Sequence, residues 1–288
     1  MTDRRAWGVF REVAHSPGRE SDDGEILRLT AKQLEGHGFT VLLKEADELM
    51  DRGEPSPSLV FAMCERIQPL RQLRRREGAG TLVVNAPAAI LNTYRHRMLS
   101  RWRLAGVPFP KSRLLSTRAR LAAKTWPMWV KRGDVHNTEA GDVVRVESAA
   151  ECRAALDGLT QRGIRRAVVQ AHVSGDLIKF YGVIDGDRPD RPLRWFRWFY
   201  HKGQDLAGHA FDPGHLAAVA RRAASALGLE VFGGDALVTG RPVPWQEALL
   251  VIDVNAWPSF ALFRDEAAGE IAGYLAQRVA GQLGPSRS

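Results

Sequence analysis

Short apolar runs alternate with segments of helical periodicity along the whole of this 288-residue chain. The runs FTVLL (39–43), SLVFAM (58–63) and TLVVN (81–85) have the length and composition of buried strands. Between the runs, apolar residues recur at helical spacing, as they do from Ile26 to Leu34. The alternation predicts an α/β architecture with β-α-β units in the N-terminal part.

Local signals refine this prediction. A first strand is predicted at 7–10, and either Asp22 or Asp23 is expected to cap the first helix. A helical stretch is predicted from Asn92 to Arg103, before two prolines in AGVPFPKS that forbid its continuation. Further strands are predicted at 127–133, 142–146, 167–173, 177–184 and 193–201, and further helices at 148–162, 213–227 and 265–283.

Composition narrows the class of protein. Hydrophobic residues make up 44% of the chain and charged residues 26%, which is typical of a globular protein. No apolar run reaches the roughly 20 residues of a membrane-spanning helix, and no signal-peptide pattern follows the first residues. Cys64 and Cys152 are the two cysteines, without the spacing of a zinc site. We therefore expect a cytoplasmic protein that has no membrane partner.

The formal net charge of +8 raises the question of a nucleic-acid partner. The excess arginine is spread along the chain, whereas a nucleic-acid-binding protein more often concentrates it in one stripe with interleaved aromatic residues. We therefore do not expect a nucleic-acid partner. The same charge would help to attract an anionic substrate.

The segment VIDVNAWPSF (251–260) carries the most informative chemistry. Asp253 and Asn255 are two residues apart at the end of an apolar strand, so both side chains project from one face. Asp235 ends a second strand-like segment, LEVFGGDALV. Carboxylate and amide oxygens suit a hard cation such as Mg²⁺. Either segment alone could carry ordinary turn residues, but the combination favours a metal site.

Two other segments carry groups that could hold a nucleotide. Lys131 ends an apolar strand beside a glycine-containing loop, where it could reach phosphates or simply extend to water. In VVQAHVSGDLIK, backbone groups from Gln170 to Val173 could read a base edge. Asp176 could accept from ribose hydroxyls, and Lys179 could point back at the phosphates. The alternative is an ordinary hairpin with polar turn residues.

In chain order, these features resemble the ATP-grasp superfamily over about residues 85–265. Arg95 precedes the turn GVPFP at the spacing that members show between a basic residue and "GIPxP". A "vvKP"-like strand, a "QEfi"-like hinge, a "G-x-D/E-x-K" segment and a "D…D/E-x-N-xx-P" metal motif follow in the family's order. IDVNAWPSF is most similar to the ribosomal-protein glutamate ligase and inositol polyphosphate kinase branches.

Four positions depart from the family's pattern. Arg95 replaces the usual lysine, Arg132 stands where a proline follows Lys131, and Ala171 replaces the acidic residue after Gln170. Ser259 replaces a glycine. None of these changes removes a metal ligand or Lys131, so the resemblance still implies an active enzyme.

The resemblance implies an ATP-grasp fold with an N-terminal Rossmann-like pre-ATP-grasp domain at 1–91. The ATP-grasp domain would occupy 92–283, with a lid subdomain at about 110–168, and 284–288 would be a frayed tail. The implied phosphate-binding residues are Arg95, Lys131 and Lys179, of which the two lysines are also the implied catalytic residues. The implied adenosine site comprises Gln170, Ala171, His172, Val173 and Asp176, and the implied ligands of one or two Mg²⁺ ions are Asp235, Asp253 and Asn255.

Two features outside the motifs are candidates for the acceptor substrate. The loop HSPGRESDD (15–23) follows the first strand, where open α/β sheets receive ligands, so Ser16 and Arg19 are candidate substrate residues. Arg197 lies in a predicted strand of alternating basic and aromatic residues and is a third candidate. The alternatives are a capped loop and a partly buried sheet strand.

The resemblance favours an Mg-ATP-dependent carboxylate–amine ligase that forms an acyl phosphate and releases ADP and phosphate. The first alternative is a kinase that phosphorylates a polyol or another hydroxyl acceptor, because both reactions use the same nucleotide site. The second is a non-catalytic homologue that binds anions or nucleic acid. The acceptor would be a small molecule or a peptide, and a homodimer is left open.

Overall fold

The computed structural model describes residues 4–16, 18–50, 54–121, 125–136, 138–185, 192–240 and 248–282. These residues form three four-stranded sheets with helices packed around them. The predicted tail at 284–288 and most of the predicted turn at 185–191 lie outside the described residues. Within the described part of the chain, no helix is long and apolar enough to cross a membrane.

The N-terminal sheet is parallel, with strand order β2-β1-β3-β4. Its strands are β1 (Arg5–Val9), β2 (Thr40–Lys44), β3 (Leu59–Ala62) and β4 (Leu82–Val84). Helices α1 (Glu20–Gly36) and α2 (Ile67–Gly78) form the crossovers, and short 3₁₀ turns lie at Val13–His15 and Ala46–Met50. Because the strands are parallel, the loops after β1 and β3 meet at one edge of the sheet.

The middle sheet is antiparallel, with strand order β5-β8-β6-β7. It comprises β5 (Ser112–Ser116), β6 (Met128–Arg132), β7 (Val143–Val146) and β8 (Arg166–Ala171), with α5 (Ala149–Gln161) packed on it. This sheet has a small core of its own, which includes Val130, Val146, Leu156 and Val169. The middle sheet and α5 therefore have a hydrophobic core separate from those of the other two sheets.

The C-terminal sheet is antiparallel, with strand order β10-β9-β11-β12. Its strands are β9 (Asp176–Val183), β10 (Trp195–Tyr200), β11 (Val231–Val238) and β12 (Leu249–Ala256). Helices α6 (Pro213–Leu227) and α7 (Arg264–Gln282) flank it, and a 3₁₀ turn lies at Ala261–Phe263.

The N-terminal and C-terminal sheets share two hydrophobic clusters. Trp7 and Val60 belong to the same buried cluster as Phe180 and Val254, and a second cluster likewise includes residues of both sheets. The buried Asn85 side chain adds polar contacts, since it accepts from the Val231 amide at 2.9 Å and donates to the Val231 carbonyl at 2.7 Å. These two sheets therefore form one continuous packed unit.

The predicted helix at 92–103 is two helices, α3 (Pro87–Asn92) and α4 (Arg95–Leu104). The residue before α4, Tyr94, has a non-helical backbone, with φ −58° and ψ 122°. The Arg95 amide then donates to the Asp134 carbonyl at 3.0 Å, and the His96 amide donates to the Gly133 carbonyl at 2.9 Å. The predicted helical stretch is confirmed from Arg95 onward, and its start was wrong because partners from the distant β6–β7 loop satisfy the first amides of α4.

One other local prediction needs correction, and one strand was not predicted. The structure has Arg19 at the N-cap position of α1, and Asp23 lies within the first turn, where it accepts from the Ser16 hydroxyl at 2.6 Å. Asp22 likewise lies in that turn and pairs with Arg264. Strand β5 was missed, because its short sequence SRLLS carries only two apolar residues.

Candidate functional site

Asp235, Asp253 and Asn255 meet where β11 pairs with β12. Asp235 lies opposite Asp253 in the antiparallel register, and Asn255 lies opposite Gly233. All three side chains line one polar cavity, which has a volume of about 350 Å³. The period-two prediction for Asp253 and Asn255 therefore agrees with where the structure places them.

Two cations contact these carboxylates. Lys179 Nζ donates to Asp235 Oδ1 at 2.8 Å from the neighbouring strand β9. Arg95 Nη2, from the beginning of α4, donates to Asp253 Oδ2 at 3.0 Å. Arg95 is 4% exposed, so its pair with Asp253 is weakly screened by solvent.

Lys131 supplies a third cation from the end of β6. Burial lowers the pKa of this amine, and the charge of Arg95 lowers it further, while Asp253 and Asp235 oppose the shift; the result is a pKa of about 8. Three cations therefore face two carboxylates. This arrangement has an excess of positive charge that an anionic ligand would offset.

An apolar cavity of about 540 Å³ lies between the middle and C-terminal sheets. Trp129 and Val143 line it from the middle sheet, and Leu237 and Ile252 line it from the C-terminal sheet. The segment Gln170 to Gly175 crosses one side, and Lys131 also lines the cavity. A flat aromatic ligand would find apolar side chains on both sides and peptide groups at its edge.

The polar groups of that segment are largely engaged within the protein. The Gln170 side chain is buried and donates to the Ser112 hydroxyl at 3.1 Å. The Ala171 amide donates to the Lys111 carbonyl at 2.8 Å, and the His172 amide donates to the Pro127 carbonyl at 3.3 Å. Base reading by these two amides is therefore not supported, whereas Val173 and the carbonyl oxygens of the segment remain candidates.

Asp176 does not face this cavity, contrary to the expectation of a ribose contact. It is 1% exposed, and its two oxygens accept from the Ala207 amide at 2.6 Å and the His209 amide at 2.9 Å. Asp176 and Lys179 are three residues apart on β9, so strand geometry directs them to opposite faces. Since Lys179 lines the cavity, Asp176 fastens the 207–209 segment instead.

The polar cavity extends from the carboxylates to the edge of the N-terminal sheet. Ser16 and Arg19 line it there, as expected for the loop after β1, and Tyr181 lines it from β9. Lys179 and Asp235 line both this cavity and the apolar one. The two cavities therefore meet at Lys179 and Asp235, with Arg95 and Asp253 on the polar side and Lys131 on the apolar side.

Arg197 is not part of either cavity lining. Its guanidinium pairs with Glu266 of α7, with Nε donating at 3.2 Å, and it lies over the Trp195 ring. The expectation of a substrate contact was wrong, because an acidic residue of the last helix holds this side chain at the sheet surface.

Sequence reasoning missed Arg11, a buried cation in the lining of the polar cavity. Arg11 Nε pairs with Asp23 at 2.9 Å, Nη1 pairs with Glu65, and Nη2 donates to the Trp257 carbonyl at 2.7 Å. It therefore ties the loop after β1 to the end of β12. The one signal in the sequence is its position directly after an apolar strand.

The loop between β6 and β7 is organised by Asp142. This side chain is 0% exposed and accepts from Arg132 at 3.0 Å, Arg162 at 2.8 Å and the Thr138 amide at 2.8 Å. Burial alone would raise the pKa of Asp142, but the hydrogen bonds from Thr138 and Arg132 have the larger effect and lower the pKa to about 2. Arg132, which departs from the family pattern, is thus a partner of this buried carboxylate.

We expect Asp142→Ala to destabilise the protein by about 3 kcal/mol, because it leaves two arginines around a buried site without their carboxylate. Since the folded-state pKa lies below its ordinary value near 3.8, the contribution of Asp142 is complete above that pH. It is lost as the pH falls from 3.8 through about 2. Urea denaturation of the variant at neutral pH tests this, with the exposed Asp157→Ala as control. An unchanged midpoint would contradict the assignment.

Known structures share this arrangement of sheets. The RimK domain protein ATP-grasp from Sphaerobacter thermophilus DSM 20745 superposes with a TM-score of 0.67 at 19% identity, over 94% of this chain and 99% of that one. The D-alanine–D-alanine ligase from Bacillus anthracis complexed with ATP gives 0.70 at 12% identity, over 98% and 100%.

The chain has an ATP-grasp fold. D-cycloserine synthetase DcsG also superposes, with a TM-score of 0.66 at 17% identity, over 96% of this chain and 99% of that chain. No protein-family model matches the chain, and no curated protein matches its sequence. The fold expected from the motifs is therefore confirmed by structure, while identities below 20% leave the chemistry to be argued from the site.

Proposed function

We propose that this ATP-grasp chain is an Mg-ATP-dependent carboxylate–amine ligase that activates a carboxylate as an acyl phosphate. One observation carries the proposal: Lys179 and Asp235 line both cavities, so an apolar space for a base opens directly onto a polar space for an acceptor. One similar structure is a D-alanine–D-alanine ligase complexed with ATP, and another is a D-cycloserine synthetase. The proposed domains are 1–91 and 92–283, with the lid at about 110–168.

The proposed nucleotide lies with its base in the apolar cavity. Gln170, Val173 and the carbonyls of Ala171 and His172 would line the base edge, and the triphosphate would reach the junction of the two cavities. There Arg95, Lys131 and Lys179 would hold phosphate oxygens through charge-assisted hydrogen bonds. Their role is to position the phosphates and to offset the charge that spreads over the transferring group.

The donor set at the junction fits Mg²⁺. Asp235, Asp253 and Asn255 present carboxylate and amide oxygens, which are the ligands this ion prefers. Bound Mg²⁺ would neutralise phosphate charge there. Lys179 and Arg95 now contact these carboxylates, so an arriving phosphate and its ion could exchange partners with them without leaving a charge unpaired.

The acceptor would occupy the polar cavity. In the proposed reaction, a carboxylate oxygen attacks the terminal phosphorus, ADP leaves, and an amine then displaces phosphate from the acyl carbon. Arg19, Ser16 and Tyr181 line the side of the cavity away from the nucleotide and are the candidate acceptor contacts.

A phosphate-release screen over amino acids, small peptides and polyols tests the reaction class. A ligase yields ADP and free phosphate only when a carboxylate and an amine are both present. ADP formation without free phosphate, with the phosphate retained on a hydroxyl product, would establish a kinase instead. If no acceptor supports ADP formation and the protein binds polyanions in a salt-sensitive way, both enzyme functions would be contradicted.

We expect Arg19→Ala to raise the acceptor KM about tenfold while changing kcat little. The contact that is lost would stabilise the bound substrate and the transition state equally. Arg19 lies at the beginning of α1 and lines the polar cavity. Steady-state kinetics with the acceptor found in the screen measure this effect. Arg28→Ala, on the same helix and outside the cavity lining, is the matched control. Equal KM values for both variants would remove Arg19 from the acceptor site.

A further inference from the structure

Three side chains with metal-ligating atoms converge beside the polar cavity. His15 follows β1, Glu65 follows β3, and His136 belongs to the loop between β6 and β7. Their ligand atoms all lie within 4.8 Å of one another. Glu65 Oε2 is 2.6 Å from His136 Nδ1 and 3.4 Å from His15 Nδ1. The cluster therefore joins the edge of the N-terminal sheet to the loop of the middle sheet.

The hydrogen-bond geometry of His136 requires a cation. Its Nε2 lies 3.0 Å from the carbonyl oxygen of His15, so this nitrogen carries a hydrogen. A neutral imidazole has only one such hydrogen, which leaves a lone pair on Nδ1 facing the Glu65 carboxylate. Two acceptors in contact are repulsive unless a proton or a metal ion lies between them.

The surrounding charges point the same way. Three buried carboxylates, those of Glu12, Asp23 and Glu65, surround the buried guanidinium of Arg11. The partly exposed Arg66 contacts Glu12 from outside. With both histidines neutral, the two arginines leave the charge of one carboxylate uncompensated, and one additional cation would offset it.

The outer contacts are those that support metal ligands. A ligating histidine typically donates its second N–H to a backbone carbonyl, and a ligating carboxylate is itself hydrogen-bonded. Here His136 Nε2 faces the His15 carbonyl, and Glu65 Oε1 contacts Arg11. Both contacts fix the orientation of the ligand atoms without occupying them.

We propose that His15 Nδ1, Glu65 Oε2 and His136 Nδ1 form a three-ligand site for a divalent ion of the zinc class. Two imidazoles and one carboxylate suit Zn²⁺ and Co²⁺, whereas Mg²⁺ prefers sites made of oxygens alone. Tetrahedral ligand atoms at Zn²⁺ distances lie about 3.3 Å apart, so the His15–Glu65 spacing of 3.4 Å already fits, and His136 must withdraw from Glu65 by less than about 1 Å. The two histidine nitrogens, which lie within 4.8 Å of each other, must settle at the same spacing.

This site shares no ligand with the Asp235, Asp253 and Asn255 set, although residues of both line the same polar cavity. A bound ion would fasten the β6–β7 loop, which contacts α4 and adjoins the cations of the nucleotide site, to the N-terminal sheet. Both histidines line the polar cavity, so a fourth coordination position would open toward the acceptor space.

Titration of chelator-treated full-length protein with CoCl₂ tests the proposal, with excess MgCl₂ present to occupy the oxygen site. We expect one Co²⁺ per chain and the intense visible absorption of a four-coordinate ion with nitrogen ligands. Addition of ZnCl₂ should displace Co²⁺ and abolish the band. This signal comes from the unaltered protein, so it does not depend on whether any variant folds.

Variants then assign the ligands. His15→Gln and His136→Gln should each weaken Zn²⁺ binding at least tenfold, on the order of the losses seen when metal-site residues are replaced. His37→Gln, an exposed histidine at the end of α1, should bind like wild type. The proposal is overturned if wild type shows no such band, or if it binds Zn²⁺ no better than His136→Gln. In that case, a proton on His136 Nδ1, and not a metal ion, lies between this nitrogen and the Glu65 carboxylate. ATP binding is measured in separate titrations, so the absence of a zinc-class site would not contradict the proposed function.

Discussion

Asp253→Asn should abolish the Mg²⁺ dependence of ATP binding and lower the rate of ADP formation by at least about 100-fold. The substitution replaces a charged ligand by a neutral one at the point where β11 and β12 present their oxygens. It also leaves Arg95, which is 4% exposed, without its carboxylate partner. Loss of the ion leaves phosphate charge unneutralised at the reacting centre, so turnover suffers more than affinity.

Isothermal titration with ATP, in MgCl₂ and in a chelator, measures the first effect without knowledge of the acceptor. Wild type should bind more tightly with Mg²⁺, and Asp253→Asn should bind equally in both solutions. The double variant Asp253→Ala/Asn255→Ala should behave in the same way. Asp157→Asn, an exposed member of a helical ion pair, is the matched control and should resemble wild type. Unchanged Mg²⁺ dependence and activity in the double variant would remove both residues from the site.

The sequence predicted those parts of the site that local geometry determines. Asp253 and Asn255 share a face because strand side chains alternate, and the parallel N-terminal sheet followed from its apolar runs. Lys131 was a candidate from its place at the end of a strand, whereas Arg95 was chosen from the family's motif order. Such predictions need only a residue's own element or a motif that spans several elements.

The wrong predictions concern side chains whose orientation depends on hydrogen-bond or ion-pair partners far away in the sequence. Asp176 was assigned to ribose from motif order, although its spacing to Lys179 places the two on opposite faces of β9. Arg197 is held by Glu266, some seventy residues later in the chain. The cluster of His15, Glu65 and His136 had no sequence signal, because its members come from three loops of two different sheets. Tertiary packing alone brings these groups together.

Lys131→Met should weaken ATP binding by about 10- to 100-fold, the loss expected for one charge-assisted hydrogen bond, while it makes the unliganded protein more stable. Lys131 is 6% exposed, and its pKa of about 8 lies below the ordinary 10.5 because burial disfavours the charged amine. At neutral pH the folded protein therefore carries a buried charge at a cost of up to about 3 kcal/mol, which the thioether of Met does not incur.

The pH dependence separates this explanation from a simple packing effect. Below about pH 8 both the folded and the unfolded protein carry the proton, so the cost is constant. Between about 8 and 10.5 the unfolded state binds more protons, so wild-type stability rises with pH relative to the variant. Urea denaturation across this range should show the stability advantage of Lys131→Met shrinking as the pH rises. Lys32→Met, on an exposed position of α1, should differ from wild type in neither stability nor ATP affinity. A Lys131→Met variant that is less stable at neutral pH, yet binds ATP normally, would mean that this lysine supports the fold and not the phosphates.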